Sequence, residues 1–186
     1  MIPRKLHTEV EKQLIKTHLL SLKDHDRYLR FGCVMTDSVI EAYVDRTWDG
    51  DNEWLGIVEG GEVIAAVHVA LETATKAELG LSVSPQWRGK KLGQALFSRG
   101  MLYVRAQGVR DVFMHCLSEN ATMKHIASKN RMLMRTSYGE TDADLHVEPL
   151  PFDPIREVFT EQLAIYDNNV RGARSAWKQL VERKYA

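Results

Sequence analysis

The chain is short of the features that settle a protein's class at a glance. Two cysteines in 186 residues, Cys33 and Cys116, lie far apart with no CxxC or Cys/His spacing. That excludes a disulfide framework and a cysteine-bound zinc, and a reduced compartment is expected. Charge of one sign is missing too: 25 Lys and Arg stand against 25 Asp and Glu. No global field would draw the chain to nucleic acid or anionic lipid, and neither partner is expected. No apolar run approaches a membrane span, and the amino-terminal MIPRKLHTEVEKQ has no apolar segment of the kind found in secretion signals, so the expectation is a cytoplasmic protein. Internal repeats, low-complexity tracts and linkers are absent. What remains is 44% hydrophobic and 27% charged residues. This composition fits one globular domain spanning 1–186, long enough to bury a core unaided, with 151–186 as a helical extension.

The apolar periodicity orders the elements. Thr8 and Glu11 have capping-box spacing ahead of Val10, Leu14, Ile15, Leu19 and Leu22, which predicts a helix. The charged LKDHDR reads as a solvated loop and YLRFG as a short strand. Thr36 or Asp37 then caps a helix carrying Val39, Ile40, Tyr43 and Val44. EWLGIVEG and EVIAAVHVALE meet at Gly60-Gly61, a hairpin signature. From Ala77 to Val83, Leu79, Leu81 and Val83 share one face, and Glu78, Gly80 and Ser82 share the other. A helix from Leu92 ends near Gly108, and the strand DVFMHCL follows. Next come a short helix over Asn120 to Lys129 and a hairpin of MLMRTSYG and ADLHVE, joined through Gly139 to Asp142. Asp153-Pro154 opens a helical tail. Its apolar stripes, through Phe159 and Leu163 and through Trp177 and Leu180, are expected to be buried against the domain or a second copy. The sum is a mixed α/β fold with a mostly antiparallel sheet flanked by helices.

Between strand and helix stands SPQWRGKKLG. A helix starting there presents unpaired N–H groups and the positive end of its dipole, with Arg88, Lys90 and Lys91 adding charge. The alternative is an ordinary turn with solvated basic residues. The spacing is neither the GxxxxGK[ST] of an NTPase loop nor the GxGxxG of a dinucleotide fold, so any phosphate it holds belongs to another carrier.

From Glu53 to Glu148 the sequence resembles the GNAT superfamily of acetyl-CoA-dependent N-acetyltransferases. The run from Val83 to Gly93, V-x-P-x-W-R-G-K-K-L-G, is similar to the family's pyrophosphate-binding motif Q/R-x-x-G-x-G/A, with Arg88 and Gly93 at the outer positions and Lys91 where the middle glycine is usual. SENATMKHIASKNRM resembles the segment flanking the cofactor, opened by Asn120. The resemblance implies a GNAT acyltransferase fold and acetyl-CoA as cosubstrate. Its pyrophosphate would lie on N–H groups of Gly89, Lys90, Lys91, Leu92, Gly93 and Gln94, and its pantetheine along Leu81, Ser82 and Val83. The RYLRFG region is also similar to the front of acetyltransferase domains in some bacterial protein-lysine acetyltransferases.

An amine attacks a thioester only when neutral, so such a site needs a base and a stabilised oxyanion. By resemblance Glu78 is the base, acting directly or through water, and a backbone N–H near Val83 meets the oxyanion. On spacing alone Glu78 reads equally as a strand carboxylate with a structural partner. The tyrosine that many relatives use as acid is missing from Ile126-Ala127-Ser128. Ser128, His125 and Tyr138 are substitutes, Tyr138 reading otherwise as a half-buried strand aromatic, and the acid stays unassigned. His68 and His115 read as core histidines or acceptor-pocket linings, and Cys116 as a buried thiol. No metal is expected. The acceptor is an amine, small or on a peptide or protein, and a homodimer is possible. The rival from another class is a non-catalytic acyl-CoA-binding or assembly module.

Overall fold

The computed structural model describes the backbone of residues 1–149 and 151–184, and side chains through residue 178. In chain order the elements are β1 (Arg4–Lys5), α1 (Glu9–Leu20), α2 (Asp24–Phe31), α3 (Asp37–Arg46), β2 (Asn52–Glu59), β3 (Glu62–Thr73), β4 (Lys76–Val83), α4 (Leu92–Ala106), β5 (Asp111–Leu117), α5 (Ala121–Lys129), β6 (Leu133–Ser137), β7 (Glu140–His146) and α6 (Asp153–Lys184). The strands form one sheet in the order β1-β2-β3-β4-β5-β7-β6. Only β4 and β5 run parallel. This is the mixed, mostly antiparallel sheet with flanking helices that the periodicity predicts.

The period-2 pattern of the central strands divides the core in two. Leu55, Ile64, Val67, Leu79 and Leu81 turn to the face covered by α4, where Leu96, Phe97 and Val104 pack on them. Trp54, Val63 and Ala66 turn to the opposite face, under Ile15 and Leu19 of α1 and Ile40 and Val44 of α3. β3 is buried on both faces, which is why its sequence reads as an almost unbroken apolar run. Gly60 and Gly61 both take positive φ at the β2–β3 turn, as a two-residue hairpin requires. Thr8 and Glu11 complete the capping box of α1.

Four local expectations are revised. YLRFG is not a strand, and LKDHDR is not a loop: both contribute to α2, which carries Asp24 and Asp26 in its first turn and stops at Gly32, φ +73. Arg27 holds the turn before it by donating to the carbonyls of Leu20 and Leu22. The last hairpin turns at Tyr138 and Gly139, both at positive φ, so Glu140 to Asp142 are already strand. Tyr138 therefore stands fully exposed at the turn tip, neither half-buried nor near any wall of the cleft described below.

The fourth revision is α6. Phe159, Leu163 and Trp177 are exposed, at 67%, 47% and 70%. The helix instead turns Asp153, Glu157 and Ala164 inward. Arginines waiting on α4 reverse the expected orientation, because Arg99 takes Glu157 and Glu161 while Arg105 takes Asp153. Leu180 lies beyond the described side chains. No described helix is long and apolar enough to cross a membrane.

Candidate active site

β4 and β5 pair over three registers only, Lys76 with Asp111, Ala77 with Val112 and Glu78 with Phe113. Past Glu78 the pairing of the two strands ends, and the far end of β4 borders a cleft of about 400 Å³. Leu81, Ser82 and Val83 form one wall, the start of α4 forms the floor, and α5 closes the other side through Met123, Ile126 and Lys129. α2 covers the end nearest Glu78 with Asp26, Leu29 and Arg30.

The floor is the turn singled out in the sequence. Pro85 to Trp87 make one 3-10 turn, Gly89 follows at φ +75, and Lys91 at φ +60 is the N-cap of α4. No side chain caps this helix, so the N–H groups of its first turn point out unclaimed by side chains. A lysine at positive φ costs about 1 kcal/mol relative to glycine. Such strain persists only where the surrounding structure holds it in place. Gly93 has ordinary helical backbone. A Cβ placed there would sit 3.0 Å from Ile126 Cδ1, so the end of that side chain would have to give by a few tenths of an ångström.

Of the eleven residues expected at the cofactor, Leu81, Ser82, Val83, Arg88, Gly89, Lys91, Leu92, Gly93, Gln94 and Asn120 all line this one cleft. Lys90 does not, and its Nζ lies 4.0 Å over the ring of Trp87. Several side chains have structural partners. Gln94 and Asn130 exchange amide hydrogen bonds at 3.1 and 3.2 Å, clamping α4 to α5. Asn120 Oδ1 accepts from the Met123 N–H at the start of α5, and its Nδ2 donates to the Leu29 carbonyl of α2 at 3.3 Å. Arg88 pairs with Asp26 at 2.8 Å, tying the floor to α2 across the mouth. Ser82 meets His18, whose two ring nitrogens lie 2.8 Å from the Ser82 hydroxyl and 3.2 Å from that of Ser84. Burial pushes His18 down to about 4, so it sits there neutral.

Glu78 is half-buried at the fork itself, three residues before the cleft lining begins at Leu81, on the face it shares with Gly80 and Ser82. His68, on β3 beneath that face, is a buried histidine with two partners. Its Nδ1 lies 2.8 Å from the Tyr43 hydroxyl and its Nε2 lies 2.9 Å from Asn52 Oδ1. Burial first, then the charge of Arg30, lowers it to about 3. His115 is exposed on β5 between Asp142 and Glu140, away from the cleft. Cys116 is buried, and that burial raises its thiol pKa and keeps it protonated. Among the described residues no group of three His, Cys, Asp or Glu side chains is placed to hold a metal ion.

The sequence did not point to α2 as a wall of the site. Asp26, Leu29 and Arg30 enter it only because YLRF is helical, and their spacing of three to four residues was the available signal.

The site thus sets a parallel pair that ends at Glu78 beside an uncapped, positively charged helix start. The family model for the acetyltransferase (GNAT) family matches residues 22–129, more than half of the chain. The chain belongs to the GNAT acetyltransferase family. Its fold is similar to that of the GNAT domain of S. lividans PAT, with 20% identity and a TM-score of 0.67 over 78% of this chain and 89% of that one. PaiA N-acetyltransferase from Thermoplasma acidophilum, in complex with coenzyme A, superposes with a TM-score of 0.58 at 14% identity, over 79% of this chain and all of that one. A cAMP-binding acyltransferase from Mycobacterium smegmatis, of which this chain spans about half, covers 93% of this chain and 51% of that one at 20% identity and a TM-score of 0.56. At these identities the likeness is one of fold. No curated protein matches the sequence.

Proposed function

We propose that the protein transfers an acetyl group from acetyl-CoA directly to an amine in a ternary complex, with Glu78 as the base. The observation that supports this most is the fork at Glu78, which sets a carboxylate at the head of a cleft ending on an open helix N-terminus. The cleft suits the proposed cosubstrate at both ends. Leu81, Val83, Leu92, Met123 and Ile126 offer apolar contact for a pantetheine arm. Lys91, Arg88 and Lys129 bring positive charge to the first turn of α4, where a pyrophosphate would sit.

In this reading the amine loses a proton to Glu78, directly or through water, as its nitrogen bonds to the thioester carbon. The C–S bond then breaks and the thiolate leaves. A backbone N–H near Val83 meets the transient oxyanion. Ile126 and Ala127 of α5 are buried and offer no acid. A thiol with a reference pKa of about 8.5 departs as thiolate without a dedicated donor. The acceptor stays open between small amines and amines on peptides or proteins.

Acetyl-CoA should raise the melting temperature through linkage, by about 2.7 kcal/mol of added stability at a hundredfold excess over Kd, while adenosine does much less. Release of thiol with an amine panel, together with detection of the acetylated amine, tests the chemistry. A large shift with no turnover on any amine would favour the binding-module reading. No shift would remove the cleft as a coenzyme A site.

We read 1–186 as one domain with 151–186 as its helical extension, supported by the ion pairs that fasten α6 to α4. The apolar positions Phe159, Leu163, Tyr166, Val170, Ala173 and Trp177 follow one another in steps of four and three along α6, the spacing of a two-helix seam. An antiparallel copy would set Phe159 opposite Trp177, Leu163 opposite Ala173 and Tyr166 opposite Val170, apolar against apolar throughout, so we propose the same helix of a second copy as the occupant. Sedimentation should give twice the 21.2 kDa chain mass, and Leu163→Glu should halve it. A wild-type monomer would overturn the pairing.

A further inference from the structure

Arg30 differs from the other covered arginines of this fold. Arg4, Arg27, Arg99, Arg105 and Arg171 are each at least partly buried, and each pairs with a carboxylate. Arg30 is equally covered, yet it pairs with none among the described residues. It lines the cleft beside Leu81, Ser82 and Val83. A guanidinium taken partly out of water with no counter-charge is unfavourable by itself, and proteins retain such groups where a ligand supplies the missing charge.

Its position is fixed from two sides. The guanidinium lies flat against Gly80 of β4, where a Cβ would fall 2.4 Å from Nη2, so only glycine leaves room for it. From behind, Nη2 donates to the Tyr43 hydroxyl at 3.1 Å, and that hydroxyl lies 2.8 Å from His68 Nδ1. His68 Nε2 in turn lies 2.9 Å from Asn52 Oδ1. With Asn52 Oδ1 as acceptor, the imidazole proton sits on Nε2 and Nδ1 accepts from Tyr43. The tyrosine oxygen is then free to accept from Arg30, and every link has one donor and one acceptor. Phe31 and Tyr43 stack on the cation at 4.9 and 5.9 Å. This relay uses one N–H of Nη2. Nη1 makes no hydrogen bond, and Nε is buried without a partner. Four of the five guanidinium N–H groups are left over, and the two on Nη1, which unlike Nε is not buried, suit a carboxylate.

Gly80 is the face-mate of Glu78, two residues away and therefore about 7 Å along the strand. Arg30, packed against Gly80, therefore stands on the same face of β4 as Glu78.

We propose that Arg30 is a specificity-determining residue that binds a carboxylate carried by a reactant at the fork, either on the acceptor amine, as in an amino acid, or at the far end of a dicarboxylic acyl group. The inference rests on the acyl-transfer reading of the cleft and adds the substrate class to it.

The test uses the full chain and separates binding from turnover. In the presence of CoA, calorimetry compares N-acetylglutamate and N-acetylphenylalanine with their α-amides. A second arm compares succinyl-CoA with acetyl-CoA. Wild type should prefer the carboxylate in one arm by roughly 10- to 100-fold in Kd. Arg30→Gln should abolish that preference while still binding acetyl-CoA, and Arg30→Lys should restore part of it. The arm that responds identifies the carrier. Equal affinity for acid and amide together with equal affinity for both thioesters would overturn the proposal, as would a preference that survives in Arg30→Gln. Acetyl transfer with no carboxylate preference sinks this inference alone. Arg30-dependent carboxylate binding without transfer to any amine sinks the enzyme reading alone. Should Arg30→Gln unfold, Tyr43→Phe, which frees the guanidinium from its relay, should weaken the same preference in a folded protein, and an unchanged preference there overturns it.

Discussion

Glu78→Gln should leave the melting temperature and acetyl-CoA affinity close to wild type while lowering kcat by on the order of 10²–10⁴. The amide keeps the shape and removes only the ability to take a proton. Glu78 occupies the last paired register of β4 and β5, where their pairing ends and a reacting amine can approach from the α2 face. The loss should narrow as pH rises, because more of the acceptor is then neutral without help. A lysine-like amine with a reference pKa near 10.4 should show this narrowing more clearly than a weaker base. Wild-type turnover of a folded Glu78→Gln protein at neutral pH would take the proton-accepting role away from this residue.

What the sequence made legible, and what it hid, follows the range of the interactions involved. The Gly60-Gly61 hairpin, the capping box at Thr8 and the switch from strand to helix at Lys91 are set by neighbours within a few residues, and all are found in place. The residues expected at the cofactor fall on one cleft because one contiguous turn and one strand supply nearly all of them. α2 was hidden because its eight residues include Tyr28 and Phe31, which favour strands, and no side chain caps its start. With α2 went the wall of the site that carries Arg30 and Asp26. β1 is two residues long and has no period to read. Pairing of His68 with Tyr43 and Asn52 depends on contacts 25 and 16 residues apart along the chain, which composition does not reveal.

The orientation of α6 was misread for the opposite reason, a strong local signal overruled by a distant one. The apolar stripe through Phe159 and Leu163 suggests the buried side, but Arg99 of α4 is only 3% exposed and turns the helix toward itself. Arg99 Nη2 lies 2.6 Å from Glu161 and 3.2 Å from Glu157. Lys5 completes the cluster, its Nζ 3.2 Å from Glu157 and its backbone N–H 3.0 Å from Glu161. Glu53 stands beside them, and burial together with the Glu161 and Glu157 charges raises its carboxyl pKa even with Arg99 present.

Arg99→Met should therefore be the most destabilising single change in the fold outside the apolar core. Removing the cation leaves Glu53, Glu157 and Glu161 facing one lysine out of water, and breaking a buried pair from one side costs about 3–5 kcal/mol. For a chain of this size that corresponds to a drop in melting temperature of roughly 6–20 °C. The pH dependence carries the sign of the mechanism. With Arg99 gone, the Glu53 carboxyl, already raised, loses a charge that holds it down, so its folded pKa rises further above the unfolded one. The variant should then recover stability as pH falls toward the acid range, and lose it again as pH rises through that raised value. Arg99 Nε and Nη1 have no hydrogen-bond partners, so the cation itself is only partly satisfied. Combining Arg99→Met with Glu157→Gln and Glu161→Gln should return most of the loss, since no charge is then stranded. Thermal unfolding of the single and triple variants across this pH range measures both effects. A single variant as stable as wild type at pH 7, or one whose loss does not shrink on acidification, would mean that α6 is held on the domain by something other than these ion pairs.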